Sequence, residues 1–194
     1  MELVVIRHGL PETVIREREA ADPALSPEGR EQARRVAEWL RDERFDALYS
    51  SPLRRARETA EPLAAQQGLD VAIHDGVAEY DRESPVYVPM EDLKRDNYDE
   101  WRRIMSDGLF ADDPHEFRKT VAGAMEEIIA AHRGQKVAVF CHGGVINAWA
   151  SQVADTGKVF FFDPFYTSIN RFMAAGSGER SVMTLNETSH LRGM

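Results

Sequence analysis

Two short apolar runs in this chain end in the same way, and that coincidence limits what the chain can fold into. Leu3-Val4-Val5-Ile6 passes directly into Arg7-His8-Gly9, and Val137-Ala138-Val139-Phe140 passes into Cys141-His142-Gly143-Gly144. Four consecutive apolar residues bounded by polar and glycine signals read as a strand buried on both faces, as in a parallel sheet covered by helices. Each strand then delivers an imidazole to the loop at its carboxyl end, and the glycine that follows lets another group approach the backbone closely. Two histidines placed this way, far apart in sequence, point to a site rather than to a core.

The remaining periodicity predicts strands near 46–50 and 70–74. In the tail it predicts strands at 168–174 and 181–186, joined by a hairpin turn at Ala175-Gly176-Ser177-Gly178. A helix is expected over 27–43, with Ser26 as cap, Pro27 in the first turn, and Val36, Trp39 and Leu40 at helical spacing. A second covers 52–67, with Ser51 as cap and Pro52 after it. A third covers 114–132, opened by Asp113-Pro114 and carrying Phe117, Val121, Met125, Ile128 and Ile129 on one stripe. A fourth begins at Gly144 or Val145 and runs to about Val153.

This alternation predicts a three-layer α/β/α sandwich with a mainly parallel central sheet. Residues 75–112, rich in charge and proline with a helix near 91–106, break the rhythm and read as an excursion over the active-site edge. No linker separates two domains, so residues 1–194 read as a single domain. Ligands of open α/β sheets bind beyond the carboxyl ends of the strands. Arg7-His8, the segment from Ser50 to Arg55, and Cys141-His142 are therefore expected to meet at one edge.

Composition narrows the classes of function. A formal charge of -9 argues against binding nucleic acid or an anionic membrane, and any anionic ligand needs a local arginine cluster to overcome the global field. No run approaches the roughly 18 apolar residues of a membrane span. Met1-Glu2-Leu3 carries no basic segment, so no signal peptide is expected. The single cysteine, Cys141, excludes an intrachain disulfide and suits a reducing cytoplasm. Oligomeric state stays open, a homodimer included.

Arg54, Arg55 and Arg57 open the second helix, where the helix dipole favours anions. Either an anionic ligand sits there, or the arginines form a solvated face paired with Glu58 and Glu61. Likewise the backbone N–H groups of His142-Gly143-Gly144 at a helix start can cradle an anion.

Taken together, these blocks resemble the histidine phosphatase superfamily, in its phosphoglycerate mutase-like branch. The matching residues are Arg7-His8-Gly9, Leu25-Ser26-Pro27-Glu28-Gly29-Arg30-Glu31-Gln32-Ala33, Ser51 through Ala60, Glu79, and His142-Gly143-Gly144-Val145-Ile146. The resemblance implies a metal-independent phosphatase with no cofactor, acting on a small phosphorylated substrate. It makes His8 the nucleophile that becomes a phosphohistidine. Arg7, Arg55 and His142 would surround the phosphoryl oxygens, with Gly143 beside them, and Glu79 would be the general acid and base. Asp81 and Glu83 are alternative acids, with Glu79 preferred by its position after the third strand. Leu10, Pro11 and Val14 depart from the family pattern, because none offers the side-chain hydrogen bond that many mutases use for a second phosphate contact. That favours hydrolysis over mutase-type phosphotransfer; a phospho-ligand-binding domain without turnover is the further alternative.

Two other chemistries fit less well. A cysteine phosphatase needs an arginine six positions after its cysteine, and Asn147 stands there. Zinc on His8 and His142 would have to tolerate Arg7 and Arg55 as neighbours. The apolar residues of 84–105 (Pro85, Val86, Tyr87, Val88, Met90, Tyr98 and Trp101) and of 159–166 suit either a pocket wall or core packing and a subunit interface.

Overall fold

The two apolar runs are adjacent parallel strands at the centre of a six-stranded sheet. The computed structural model describes residues 1–107 and 114–194, with the side chains of 90–92 and 104–107 outside the description. In chain order the elements are β1 (Glu2–Arg7), β2 (Val14–Ile15), α1 (Pro27–Trp39), β3 (Ala47–Ser50), α2 (Arg54–Gln67), β4 (Val71–Ile73), β5 (Val86–Tyr87), α3 (Met90–Asp96) and α4 (Tyr98–Asp107). There follow α5 (Pro114–Ala131), β6 (Lys136–Cys141), α6 (Gly143–Val153), β7 (Ile169–Ala174) and β8 (Arg180–Glu187), with short 3-10 turns at Asp75–Val77 and Ser189–Leu191.

The sheet order is β4-β3-β6-β1-β7-β8. β4, β3, β6 and β1 run parallel, and β7 and β8 complete the sheet antiparallel. Side chains alternate between the two faces of a strand, and both faces of β1 and β6 are apolar. Leu3, Val5, Val137 and Val139 pack with Met125, Ile128, Val145 and Trp149 of α5 and α6. Val4, Ile6, Ala138 and Phe140 pack with Val36 of α1 and Leu63 of α2. The result is the expected three-layer α/β/α arrangement. Among the described residues no helix is long and apolar enough to cross a membrane.

Register brings three strand ends to one level. Ser50 lies beside Phe140, and Arg7 lies beside Cys141. His8 N–H donates to the Cys141 carbonyl at 2.9 Å and Ser51 N–H to the Phe140 carbonyl at 2.9 Å. Ser51, His142 and His8 therefore leave the sheet as neighbours.

Several elements differ from expectation. α1 stops at Trp39 rather than 43: Leu40 is its C-cap and Glu43 N–H closes a tight turn on the Leu40 carbonyl at 3.0 Å. That turn carries the Glu43 carboxylate to Arg171 at 2.6 Å and to Lys136. Trp39 is 52% exposed and lies off the buried stripe. α2 starts at Arg54 with Leu53, not Ser51, at its N-cap. α6 starts one residue early, at Gly143. The helix expected near 91–106 is two helices, because Asn97 ends α3 and its side-chain oxygen accepts from Glu100 N–H at 3.2 Å to start α4. Ser26 caps α1 as expected, its hydroxyl accepting from Gly29 N–H at 3.0 Å. Residues 108–113, including the Asp113 expected to open α5, lie outside the described residues.

Candidate active site

His8 and His142 meet. Their ring centroids are 5.1 Å apart, both rings are buried, and Tyr166 lies 5.6 Å from His8 on the centroid measure. His8 Nδ1 lies 2.7 Å from its neighbour's Gly9 carbonyl, which can only accept, so Nδ1 carries the proton and Nε2 keeps its lone pair. Burial, then Arg55 and Arg7, hold the His8 pKa well below the ordinary imidazole value. His142 is depressed likewise, by burial first and then by Arg55, His8 and Arg7. His142 Nε2 is 2.8 Å from the Ser51 hydroxyl, while its Nδ1 is buried without a hydrogen-bond partner. Ser51, expected to cap a helix, instead orients this imidazole.

The two arginines frame these rings. Arg7 donates to the Pro164 carbonyl at 2.6 Å and lies 3.9 Å over the Tyr166 ring. Arg55 is fully buried, sits 4.5 Å over the Tyr87 ring, and faces Asp81 at 3.8 Å. Of the three arginines that open α2, Arg55 alone turns inward. Arg54 pairs with Glu58 at 2.7 Å on the surface, and Arg57 is exposed. No ligand is needed at the helix start, because Arg54 N–H donates to the Asp22 carboxylate at 2.8 Å.

The carboxylates separate by burial. Glu79 is buried and accepts from Gly144 N–H at 3.0 Å and from Tyr80 N–H at 3.3 Å. Burial, and next the charge of Asp81, raise its pKa to about 7 against the pull of those N–H groups and Arg55. Asp81 is partly exposed beside Arg55, and Glu83 is 83% exposed and pairs with Arg82. The Gly144 N–H expected to cradle a ligand is thus engaged by Glu79. A Cβ on Gly144 would stand 2.2 Å from the Glu79 carboxylate oxygen, so a side chain there would push that carboxylate from its seat.

At Gly9 the close approach expected of a glycine is made by Gly29 of α1. A Cβ on Gly9 would come within 2.6 Å of the Gly29 carbonyl, and one on Gly29 within 2.0 Å of the Leu10 carbonyl. The Leu25–Ala33 block grips the loop after His8, with Gln32 accepting from Leu10 N–H at 2.8 Å and Ser26 donating to the Leu10 carbonyl at 2.9 Å. Thr59 of α2 accepts from Gly9 N–H at 3.0 Å and donates to the Arg55 carbonyl at 2.7 Å, coupling the loop after His8 to Arg55. Gly143 lines the Arg7 guanidinium; a Cβ there would reach Nε at 3.7 Å.

Cys141 is buried, with its thiol pKa pushed well up by burial, and takes no part in this constellation. Asn147 clamps the 159–166 segment to α6 through the carbonyls of Gly143 and Phe162 and the N–H groups of Phe161 and Phe162. From the two aromatic segments, Tyr166 and Tyr87 reach the arginines, whereas Trp101 stacks on Tyr98 at 5.4 Å. The arginine seats formed by Tyr87 and Tyr166 carry no motif, and the sequence offered only their aromatic surroundings as a signal.

A sequence model of the histidine phosphatase superfamily (branch 1) matches residues 3–188. The chain belongs to this superfamily. Among its relatives, phosphoserine phosphatase 1 of Hydrogenobacter thermophilus is 30% identical over 155 residues, 73% of this chain and 71% of that one. Phosphoglycerate mutase-like protein 4 of Arabidopsis thaliana is 28% identical over 203 residues, 98% of this chain and 86% of that one. The histidine phosphatase fold is matched by a mutant phosphoserine phosphatase of Entamoeba histolytica, crystallised with phosphoserine, at TM-score 0.78 and 23% identity over 98% of both chains.

Proposed function

We propose that this phosphoric monoester hydrolase captures a phosphoryl group on His8 Nε2 and passes it to water without a metal. The observation that carries the reading is the neutral, tautomer-fixed His8 ring 5.1 Å from His142, with Arg7 and Arg55 alongside. Imidazole is a nucleophile only when neutral, and burial, followed by the guanidinium groups of Arg55 and Arg7, keeps it so. Phosphoryl transfer is mainly positioning and charge stabilisation, which preorganised cations supply. A set of arginines around two imidazoles suits an anion rather than a dication.

In the first step the Nε2 lone pair forms the N–P bond while the P–O bond to the leaving group breaks. Glu79 gives its proton to the departing oxygen, releasing an alcohol. In the second step the Glu79 carboxylate takes a proton from water, the water oxygen bonds to phosphorus, and the P–N electron pair returns to His8. A pKa near neutrality suits a group that must act as acid and then as base. Arg7, Arg55, the His142 Nδ1–H and the Gly143 backbone would hold the transferring oxygens.

Water is the acceptor on this reading because the loop after His8 is committed to backbone structure. Pro11 bridges to Leu25, and Val14 pairs with Tyr87 between β2 and β5. The relatives named for phosphoserine make a small phosphorylated metabolite the substrate class to test first. We read residues 1–194 as one catalytic domain and, from the lone buried thiol, as cytoplasmic.

His8→Ala tests the reading. It should abolish turnover of p-nitrophenyl phosphate and the acid-labile phosphoenzyme while the melting temperature holds, and wild-type turnover should survive EDTA. Near-normal activity of the variant, loss of wild-type turnover in EDTA, or binding without turnover would each sink it.

A further inference from the structure

Arg55 is held in a way that the phosphate reading alone leaves unexplained. Its side chain is 1% exposed, yet among the described residues its guanidinium donates no hydrogen bond. Its Nε has no partner, and the Tyr87 ring lies 4.5 Å beneath it. The carboxylate that faces it, Asp81, stands 3.8 Å from Nη2, beyond hydrogen-bond length, and that Asp81 oxygen is also buried without a hydrogen-bond partner. A buried cation and a partly buried carboxylate that stop short of bonding are costly for both groups unless the arrangement is exchanged for a better one.

Asp81 sits on a turn closed by two backbone hydrogen bonds, in which Arg82 N–H donates to the Glu79 carbonyl at 3.2 Å and Ser84 N–H to the Asp81 carbonyl at 2.8 Å. The backbone is thus hydrogen-bonded on both sides of Asp81 while the carboxylate stays loosely engaged. We propose that Asp81 is a resident counter-anion for Arg55, displaced when a phosphoryl group arrives, and that it thereby weakens phosphate binding and speeds release of the product. This rests on the reading that Arg55 holds phosphate oxygens. Tyr87 keeps the guanidinium in place through the exchange, since a cation on a ring face keeps its seat whichever anion is present. Asp81 acts through Arg55 and is a positioning residue, distinct from the proton donor Glu79.

The exchange follows from charge. Phosphate and Asp81 compete for one guanidinium and repel each other, so removing the carboxylate leaves Arg55 wholly to the ligand. Titration calorimetry with inorganic phosphate should show Asp81→Asn binding about tenfold tighter than wild type, the scale of one unfavourable charge contact at a partly buried site. The inhibition constant for phosphate should fall in step, and Asp81→Glu, which restores the carboxylate, should return both values toward wild type. Unchanged or weaker phosphate binding by Asp81→Asn overturns the proposal. So does a loss of binding and melting temperature shared by both variants, which would make Asp81 a structural support. Loss of turnover on poor leaving groups with unchanged phosphate affinity would make Asp81 the acid instead. Because phosphate affinity is read without catalysis, failure to find a phosphoenzyme would sink the His8 reading while leaving this result interpretable.

Discussion

Arg7 rises from a strand buried on both faces, donates to the Pro164 carbonyl at 2.6 Å and lies against Tyr166. Arg55, in the first turn of α2, has no such hydrogen bond among the described residues and rests between Tyr87 and Asp81. The same contrast holds for the two sides of the site. The floor, made of the ends of β1, β3 and β6, is fixed by sheet register and backbone hydrogen bonds. The lip, from Glu79 to Tyr87, hangs on a short turn and a two-residue strand pair, with Glu79 held by two backbone N–H groups and Asp81 facing Arg55 at 3.8 Å. Rigid secondary structure suits groups that must stay in place, whereas a lip held by electrostatics suits groups whose protonation or partner changes during a cycle.

The largest expected effect lies at the lip. Glu79→Gln keeps the shape and removes the titrating proton, so turnover of alkyl phosphates should fall by about 10²–10⁴-fold, the usual range for a general acid. Aryl phosphates, whose leaving groups need little protonation, should lose far less. In wild type the alkyl-phosphate rate should decline as pH rises through about 7, where Glu79 deprotonates, and the variant should lack that limb. Stability should move in the same direction. Because the folded-state pKa is raised, the contribution of Glu79 to stability is present below about 4.5 and lost as pH rises through about 7. Glu79→Gln should therefore gain in melting temperature relative to wild type at pH 8 and not at pH 4. Equal slowing of alkyl and aryl substrates would move the acid role elsewhere on the lip.

The floor is the part that the sequence made legible, and the reason is physical. A doubly buried strand must be apolar throughout, so the first polar residues after it stand out, as Arg7-His8 and Cys141-His142 do. Register then brings those residues together without further instruction. The Ser26 cap and the apolar stripe of α5 were legible for the same reason, since local chemistry decides them. The lip was not. Which of Glu79, Asp81 and Glu83 is buried depends on how one turn packs against Gly144, and the break at Asn97 depends on one side-chain hydrogen bond. Nor did the run of three arginines reveal that Asp22, from another segment, already caps α2. Such contacts join distant segments and leave no periodic trace.

A smaller effect is expected where the floor is braced from outside. Gly29→Ala forces a Cβ to within 2.0 Å of the Leu10 carbonyl, a backbone atom that can yield only by moving the loop after His8. Denaturant titration should show a loss of about 1–3 kcal/mol, as for other overpacked sites. Gly143→Ala, whose new atom meets nothing nearer than Arg7 Nε at 3.7 Å, should cost much less stability. If the two variants are equally stable, the loop is softer than its hydrogen bonds to Gln32 and Ser26 imply, and floor and lip differ less than argued.

The smallest effect should come from the seat of Arg7. Tyr166 presents its ring face to the guanidinium at 3.9 Å and lies tilted at 50° to the His8 ring, so the ring, rather than the hydroxyl, is expected to hold both groups in place. Tyr166→Phe should leave kcat/KM near wild type, whereas Tyr166→Leu should lower it by about tenfold, the upper range for a desolvated cation–π contact. The loss should be modest because Arg7 keeps its hydrogen bond to Pro164 and its place in the sheet. Steady-state kinetics on one aryl phosphate, with melting temperatures alongside, decides the matter. A Phe variant as impaired as the Leu variant would assign the effect to the hydroxyl, and a Leu variant with wild-type kinetics would mean that strand register alone fixes Arg7.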